Sequence, residues 1–230
     1  MSSSPFNPIG PAHYAPLKPE LKSPSPPPKR VGVFFATRDG HTKRIAEHIA
    51  VELRALGFDA DVLDVRRPHV SLTRYAGAVL AASVHEGNHE REMVRFVKEH
   101  RSELERIPTA FLSVTLSEAG AENRDATPTE QAQFAMDVDR TLAKFFHETK
   151  WHPTHSKPVG GALLYTRYNF LLRLILRRIA KKAGAPTDSS RDYIYTDWVG
   201  LDKFVADLGS EIRGTPVAEA PSGASVLAER

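Results

Sequence analysis

Between an apolar run, Val31-Gly32-Val33-Phe34-Phe35-Ala36, and a helical pattern, the chain places Thr37-Arg38-Asp39-Gly40-His41-Thr42. A helix N-terminus presents unpaired backbone N–H groups and partial positive charge. Two hydroxyls add donors, and a glycine lets backbone approach a ligand closely. Together these suit a phosphate. No Gly-Lys-Ser/Thr closes the loop as in a P-loop, and the three glycines of a dinucleotide fingerprint are absent. The same residues also suit a plain capped turn, with Thr42 as N-cap and Asp39 favouring the helix dipole.

Two histidine pairs raise a second chemistry. His85 and His89 are four apart, His152 and His155 three apart. Neither pair comes with a further ligand set, and the chain has no cysteine, so no metal site is expected. His85 alone is a candidate proton donor or acceptor, since imidazole titrates near neutrality.

The elements that must position these residues alternate. Strand patterns at 31–36, 58–65, 77–83, 109–116 and 158–165 are separated by helical patterns at 42–56, 91–107 and from Thr127 to about Lys150. The third helix opens on a capping box, Thr127-Pro128-Thr129-Glu130, and a last helix begins near Thr196-Asp197. Such alternation predicts an α/β, doubly wound, five-stranded parallel sheet with right-handed crossovers. Its ligand would lie outside the carboxyl ends of the strands, where Thr37–Thr42, Ser83–Glu90 and Thr115–Thr127 emerge. A receiver domain shares the alternation but needs a phosphorylatable Asp after the third strand, where Ser83 stands.

Composition bounds the rest. Of 230 residues, 26% are charged and 41% hydrophobic, ordinary for a soluble domain. No apolar run reaches membrane-spanning length, and the first residues lack a secretory layout, so a cytoplasmic protein is expected. Residues 1–30 hold nine of the seventeen prolines and read as a disordered arm; 214–230 read as a flexible tail. The folded domain is placed at 31–213. Net charge is +3, yet from Lys150 to Arg191 nine basic residues face one acid, a local +8. An insertion at about 166–195 carries much of it. Within it, Leu171, Leu172, Ile175, Leu176 and Ile179 form an apolar stripe, and Arg173, Arg177 and Lys181 a basic face. Such a helix can bury its stripe in the domain, lie in a membrane interface or meet acidic ligands. Nothing resembles a nucleic-acid motif.

Val33-Phe34-Phe35, Thr37, Gly40, Thr42, Ala46 and Ile49 resemble the flavodoxin signature. "FFATRDGHTKRIA", "SVHEG", "FVKEH", "AFLSVTL", "GGALLYTRY" and "YIYTDW" resemble, in order, the flavodoxin-like protoporphyrinogen oxidases that pass electrons to quinones. The resemblance spans about 31–210. It implies FMN as cofactor, with Thr37, Arg38, Asp39, Gly40, His41 and Thr42 enclosing its phosphate and the Asp39 carboxylate turned outward, toward Arg38 or Lys43. Ser83, Val84, His85, Glu86, Gly87 and Asn88 would border one side of the flavin; Thr115, Leu116 and Ser117 the other. Gly87 would let a peptide near the flavin reorient. Arg167, Arg173, Arg177, Arg178 and Lys181 would serve substrate and membrane, on the inner face of the cell membrane. The implied activity is oxidation of a porphyrinogen by FMN in two-electron steps, with a membrane quinone as acceptor. An FMN electron carrier without porphyrinogen activity is the alternative, although carriers are usually acidic near the flavin. An interaction domain without flavin is a third reading. One departure stands out: neither 83–90 nor 115–127 holds an aromatic, and Glu86 occupies a position where an aromatic would stack.

Overall fold

The computed structural model describes residues 27–67, 71–167 and 188–215. Five parallel strands form the sheet: β1 (Arg30–Ala36), β2 (Asp59–Asp64), β3 (Gly77–His85), β5 (Thr109–Thr115) and β6 (His155–Gly160), in the order β2-β1-β3-β5-β6. A sixth strand, β4 (Asn88–His89), folds back antiparallel on β3, pairing Val84 with His89 and His85 with Asn88. The expected five-stranded sheet therefore gains a short hairpin. Its signal was the tight Glu86-Gly87 turn.

Side-chain alternation explains why the central strands are mostly apolar and buried on both faces. Val31, Val33 and Phe35 of β1 enter one core with Val79, Ala81 and Leu112, packed under α1 (His41–Ala55) and α5 (Trp198–Gly214). Phe34 and Ala36 enter the other, with Leu80 and Phe111, under α2 (Arg91–Leu104) and α4 (Pro128–Thr149). A strand covered on both faces has no polar side to show. The two edge strands are freer: β6 begins with exposed His155 and Ser156 and tolerates Pro158. This explains why β6 spans 155–160 rather than 158–165.

Helix ends follow the capping rules. Ile45, Ala46, Ile49, Ala50 and Leu53 give α1 its buried stripe, and Gly57, at φ +88°, lets the chain leave it. The capping box on α4 is present, with Thr127 accepting from Glu130 N–H and Glu130 accepting from Thr127 N–H. Asp197 caps α5 by accepting from Gly200 N–H at 3.0 Å. Two expectations are corrected. The N-cap of α1 is Gly40, at φ +87°, and not Thr42, which lies inside the first turn. The stretch after β5 is not all loop, since α3 (Leu116–Ala121) starts at once.

The basic helix expected at 168–182 lies outside the described residues. Its two flanks are tied together: β7 (Ala162–Leu163) pairs antiparallel with β8 (Tyr193–Ile194). Beside this ribbon Thr166 donates from its backbone N–H and its hydroxyl to Asp192, each at 2.9 Å. Among the described residues no helix is long and apolar enough to cross a membrane.

Candidate functional site

The carboxyl ends of β1, β3 and β5 bring three segments to one crevice. The first is the turn from Thr37 into α1. Gly40 N–H donates to Thr37 Oγ1 at 3.0 Å, which folds the turn over the helix start. The first-turn amides of α1 have no acceptor within the helix and face the opening as anion donors. Thr42, in the first turn of α1, is 1% exposed.

His41 plays another part. Its ring is buried, and Nε2 lies 2.8 Å from Thr196 Oγ1, which itself donates to Gly160 O at 2.7 Å. The imidazole thus ties α1 to the lead-in of α5, and only its backbone N–H is left for an anion. Burial, helped by Arg44, pushes its pKa down to about 4, so the ring is neutral. Trp198 packs edge-on against His41 and His48.

The second segment is the β3–β4 hairpin. Glu86 (φ +51°) and Gly87 (φ +71°) form a two-residue turn with both residues left-handed, the geometry that suits a twisted hairpin. Asn88 Nδ2 donates to Glu86 O at 2.9 Å across it. A Cβ on Gly87 would meet nothing within 4 Å, so the glycine serves the backbone angle and not packing. Behind the turn sits Glu90, whose side chain is 7% exposed. It accepts from Ser83 Oγ at 3.0 Å and lies 3.1 Å from Arg38 Nε and 3.3 Å from His85 Nε2. Arg38 therefore reaches from the first segment and clamps the hairpin. Lys43 pairs with Glu47 one turn on. Glu90 was overlooked in the sequence; its signal was an acid directly before a helix, at the end of a loop meant for a ligand.

The third segment starts at Thr115, whose hydroxyl accepts from Ser117 N–H at 3.1 Å. Thr115 O accepts from Gly161 N–H at 3.0 Å, which holds the start of β7 against the crevice. Leu116 is 41% exposed, an apolar side chain at the lip where an aromatic is missing.

These residues fit a mononucleotide. One end offers first-turn amides and the Thr42 hydroxyl to an anion; the other offers an apolar edge and a glycine turn with open space beside it. Val84 and His85 are half-buried on the β3 side. The side chains of Arg167, Arg173, Arg177, Arg178 and Lys181 lie outside the described residues.

The histidine pairs do not form metal sites. His89 faces away from His85, buried between Phe111 and Phe145 with Nε2 2.9 Å from Ser113 Oγ, and burial lowers its pKa to about 3. His155 pairs with Glu211 at 2.5 Å, and His152 packs on Phe146. A different trio was missed: ligand atoms of His48, Glu52 and Asp202 lie within 4.8 Å of one another on the α1–α5 side.

The profile of the Flavodoxin domain family matches residues 32–190. This chain belongs to the flavodoxin-domain family. Its relatives include the protoporphyrinogen IX dehydrogenase [quinone] of Escherichia coli K12, 33% identical over 177 residues that cover 76% of this chain and 92% of that protein. The protein of the same name from Leishmania major is 32% identical over 180 residues, 77% of this chain and 74% of its own length. Among solved structures, a flavodoxin from the domain Archaea is 13% identical and covers 80% of this chain and 99% of itself, with a TM-score of 0.44. Oxidised flavodoxin 1 from Bacillus cereus is 18% identical over 79% of this chain and 98% of itself, at 0.42. The cofactor of this flavodoxin domain is FMN.

Proposed function

We propose that this protein oxidises protoporphyrinogen IX to protoporphyrin IX with FMN, in haem biosynthesis, and hands the electrons to a membrane quinone. The observation that carries the reading is identity of 33% spread over 92% of a dehydrogenase of that name, on a fold whose three loops meet at one crevice. The active domain is 31–213, between an arm at 1–30 and a tail at 214–230.

FMN, when bound, accepts hydride equivalents from the substrate and returns them to quinone. The protein's part is placement. Backbone amides from Thr37 to Thr42 and the Thr42 hydroxyl hold the phosphate, where helix partial charge adds to hydrogen bonding. The Ser83–Asn88 hairpin and Thr115–Ser117 border the ring and exclude water from its faces. The clamp from Arg38 to Glu90 keeps hairpin and phosphate loop in one relative position. His85, half-buried beside Glu90, is the side chain placed to hold or move a proton at the crevice.

The insertion supplies the peripheral membrane contact. Arg167, Arg173, Arg177, Arg178 and Lys181 offer charge to lipid headgroups and substrate, and the apolar stripe at Leu171, Leu172, Ile175, Leu176 and Ile179 enters the interface. We place the protein on the cytoplasmic face of that membrane.

The deciding experiment is turnover. FMN-loaded protein, given protoporphyrinogen IX and a menaquinone or ubiquinone analogue without oxygen, should yield fluorescent protoporphyrin only when quinone is present. Yellow protein that leaves the porphyrinogen unoxidised, while accepting electrons from a reductase, would instead mark a carrier.

A further inference from the structure

A second cleft lies beside the crevice. It is a groove of about 700 Å³ between the β3–β4 hairpin, α2 and α4. That volume lies within the ~300–1,000 Å³ usual for small-molecule sites. Groove and crevice share a wall: Arg38, His85, Glu86, Gly87 and Asn88 line both.

The groove is basic in a particular way. Arg91 and Arg95, one helical turn apart on α2, are both exposed and project from the same face. Neither has an ion-pair partner among the described residues. Lys144 of α4 stands opposite and donates only to the uncharged Asn88 Oδ1, on the hairpin. Other charges there are accounted for or opposed: Lys98 pairs with Glu148 at 3.1 Å, Arg38 with Glu90, and Glu86 and Glu99 lie on the rim. The lining thus holds five cations and three acids, and once Arg38 is paired with Glu90 behind it and Lys98 with Glu148, the cations Arg91, Arg95 and Lys144 have no carboxylate partner among the described residues. Val94, with buried Phe145 beneath, gives the groove an apolar floor.

We propose that this groove is the carboxylate-anchoring half of the substrate site, in which Arg91, Arg95 and Lys144 take the propionates of a dianionic tetrapyrrole whose ring edge reaches over the Glu86–Gly87 turn toward the crevice. The inference rests on the function proposed above. Guanidinium groups bind carboxylates through paired hydrogen bonds, and a macrocycle needs the apolar floor more than it needs a closed pocket. The groove makes the orientation selective: the anionic side of the macrocycle stays at α2 and α4, and the opposite side meets the shared turn.

The test uses the FMN-loaded full chain and two stable probes, protoporphyrin IX and its dimethyl ester, followed by quenching of tryptophan fluorescence. The variant Arg91→Gln/Arg95→Gln/Lys144→Gln should weaken binding of the diacid about tenfold or more. The ester should bind wild type and variant alike, as weakly as the variant binds the diacid. In turnover the variant should raise KM for protoporphyrinogen with kcat held, and FMN affinity should not move. Equal binding of diacid to wild type and variant, or ester binding as tight as diacid, overturns the proposal. Wild type that binds the diacid through these residues but oxidises no porphyrinogen would overturn the enzymatic reading instead, so the two failures separate.

Discussion

His41 Nε2 lies 2.8 Å from Thr196 Oγ1, a hydrogen bond between residues 155 positions apart. The hydroxyl gives its one proton to Gly160 O, so it accepts from His41 and fixes the Nε2–H tautomer. Three pieces of chain meet there: the start of α1 at the phosphate loop, the end of β6, and the lead-in to α5. Thr196→Val would leave a buried N–H and a buried carbonyl unsatisfied at a cost of about 1–3 kcal/mol, while Thr196→Ser keeps both bonds. Urea unfolding and FMN titration should show weaker folding and weaker flavin binding for valine only. Valine and wild type matching in both would mean the tie contributes nothing.

Acid should unfold this protein through its buried histidines. His41 and His89 are held neutral in the fold, with pKa values lowered from 6.5 to about 4 and about 3. An unfolded chain takes up these protons below about pH 6.5, and the folded one does not, so stability is full above that value and declines as pH falls toward 4 and then 3. The combined loss is at most on the order of several kcal/mol, since a tenfold change in proton affinity corresponds to about 1.4 kcal/mol. Unfolding free energy measured from pH 7 to 4 should drop more steeply for wild type than for His89→Gln, which cannot titrate. Parallel curves would remove His89 from the account.

Glu90 is the pivot of the crevice. One nearly buried carboxylate serves Ser83, Arg38 and His85. Glu90→Ala strips the hairpin of its link to the phosphate loop and leaves Ser83 Oγ without its acceptor, which should cost about 1–3 kcal/mol. The exposed partner Arg38 regains water, so the ion pair itself contributes little of this. Flavin fluorescence titration should show a Kd raised roughly tenfold, with a lower Tm. An unchanged Kd would show that the hairpin holds its place without the clamp.

The turn at Glu86 permits a gain. A glutamate at φ +51° sits where L-residues other than asparagine and aspartate are disfavoured, and Asn-Gly is the preferred pair for this turn. Glu86→Asn should stabilise the protein by about 0.5–1 kcal/mol in urea unfolding. A loss of stability would show that the Glu86 carboxylate makes a contribution larger than the strain it carries.

How much of this was legible depended on which residues had one physical reason to be there. Val31–Ala36 and Thr109–Val114 are buried throughout and mostly apolar because both faces of the sheet are covered, and that pattern names a central parallel strand directly. His155–Pro158 carries no such pattern, because an edge strand with water on one side has no need of it. Thr37, Gly40 and Thr42 suit an anion loop by type and spacing, and suit a plain capped turn equally. His41 in the same loop gave no hint that its ring turns inward, since the partner, Thr196, is brought near only by the last crossover. Ser83–Glu90 read as a loop, so the hairpin at Glu86-Gly87 was not foreseen, and Glu90 and the cations Arg91, Arg95 and Lys144 read as ordinary helix surface until α2 and α4 were set side by side.

The ribbon at the base of the insertion makes its removal a clean experiment. Ala162 faces Ile194 and Leu163 faces Tyr193, so the chain leaves and re-enters the domain at neighbouring points, with Thr166 and Asp192 bonded just beyond. A short Gly/Ser linker in place of 168–187 can close that gap at small entropic cost. Among the described residues both hydrophobic cores are built from the other elements, so the fold and FMN binding should survive. If the insertion supplies the membrane contact, the shortened protein should lose its sedimentation with anionic phospholipid vesicles and its turnover with a membrane-embedded quinone. Turnover with a water-soluble quinone should fall less. Full activity in both assays would assign membrane and quinone contact to some other surface; loss of FMN as well would show that the segment supports the crevice itself.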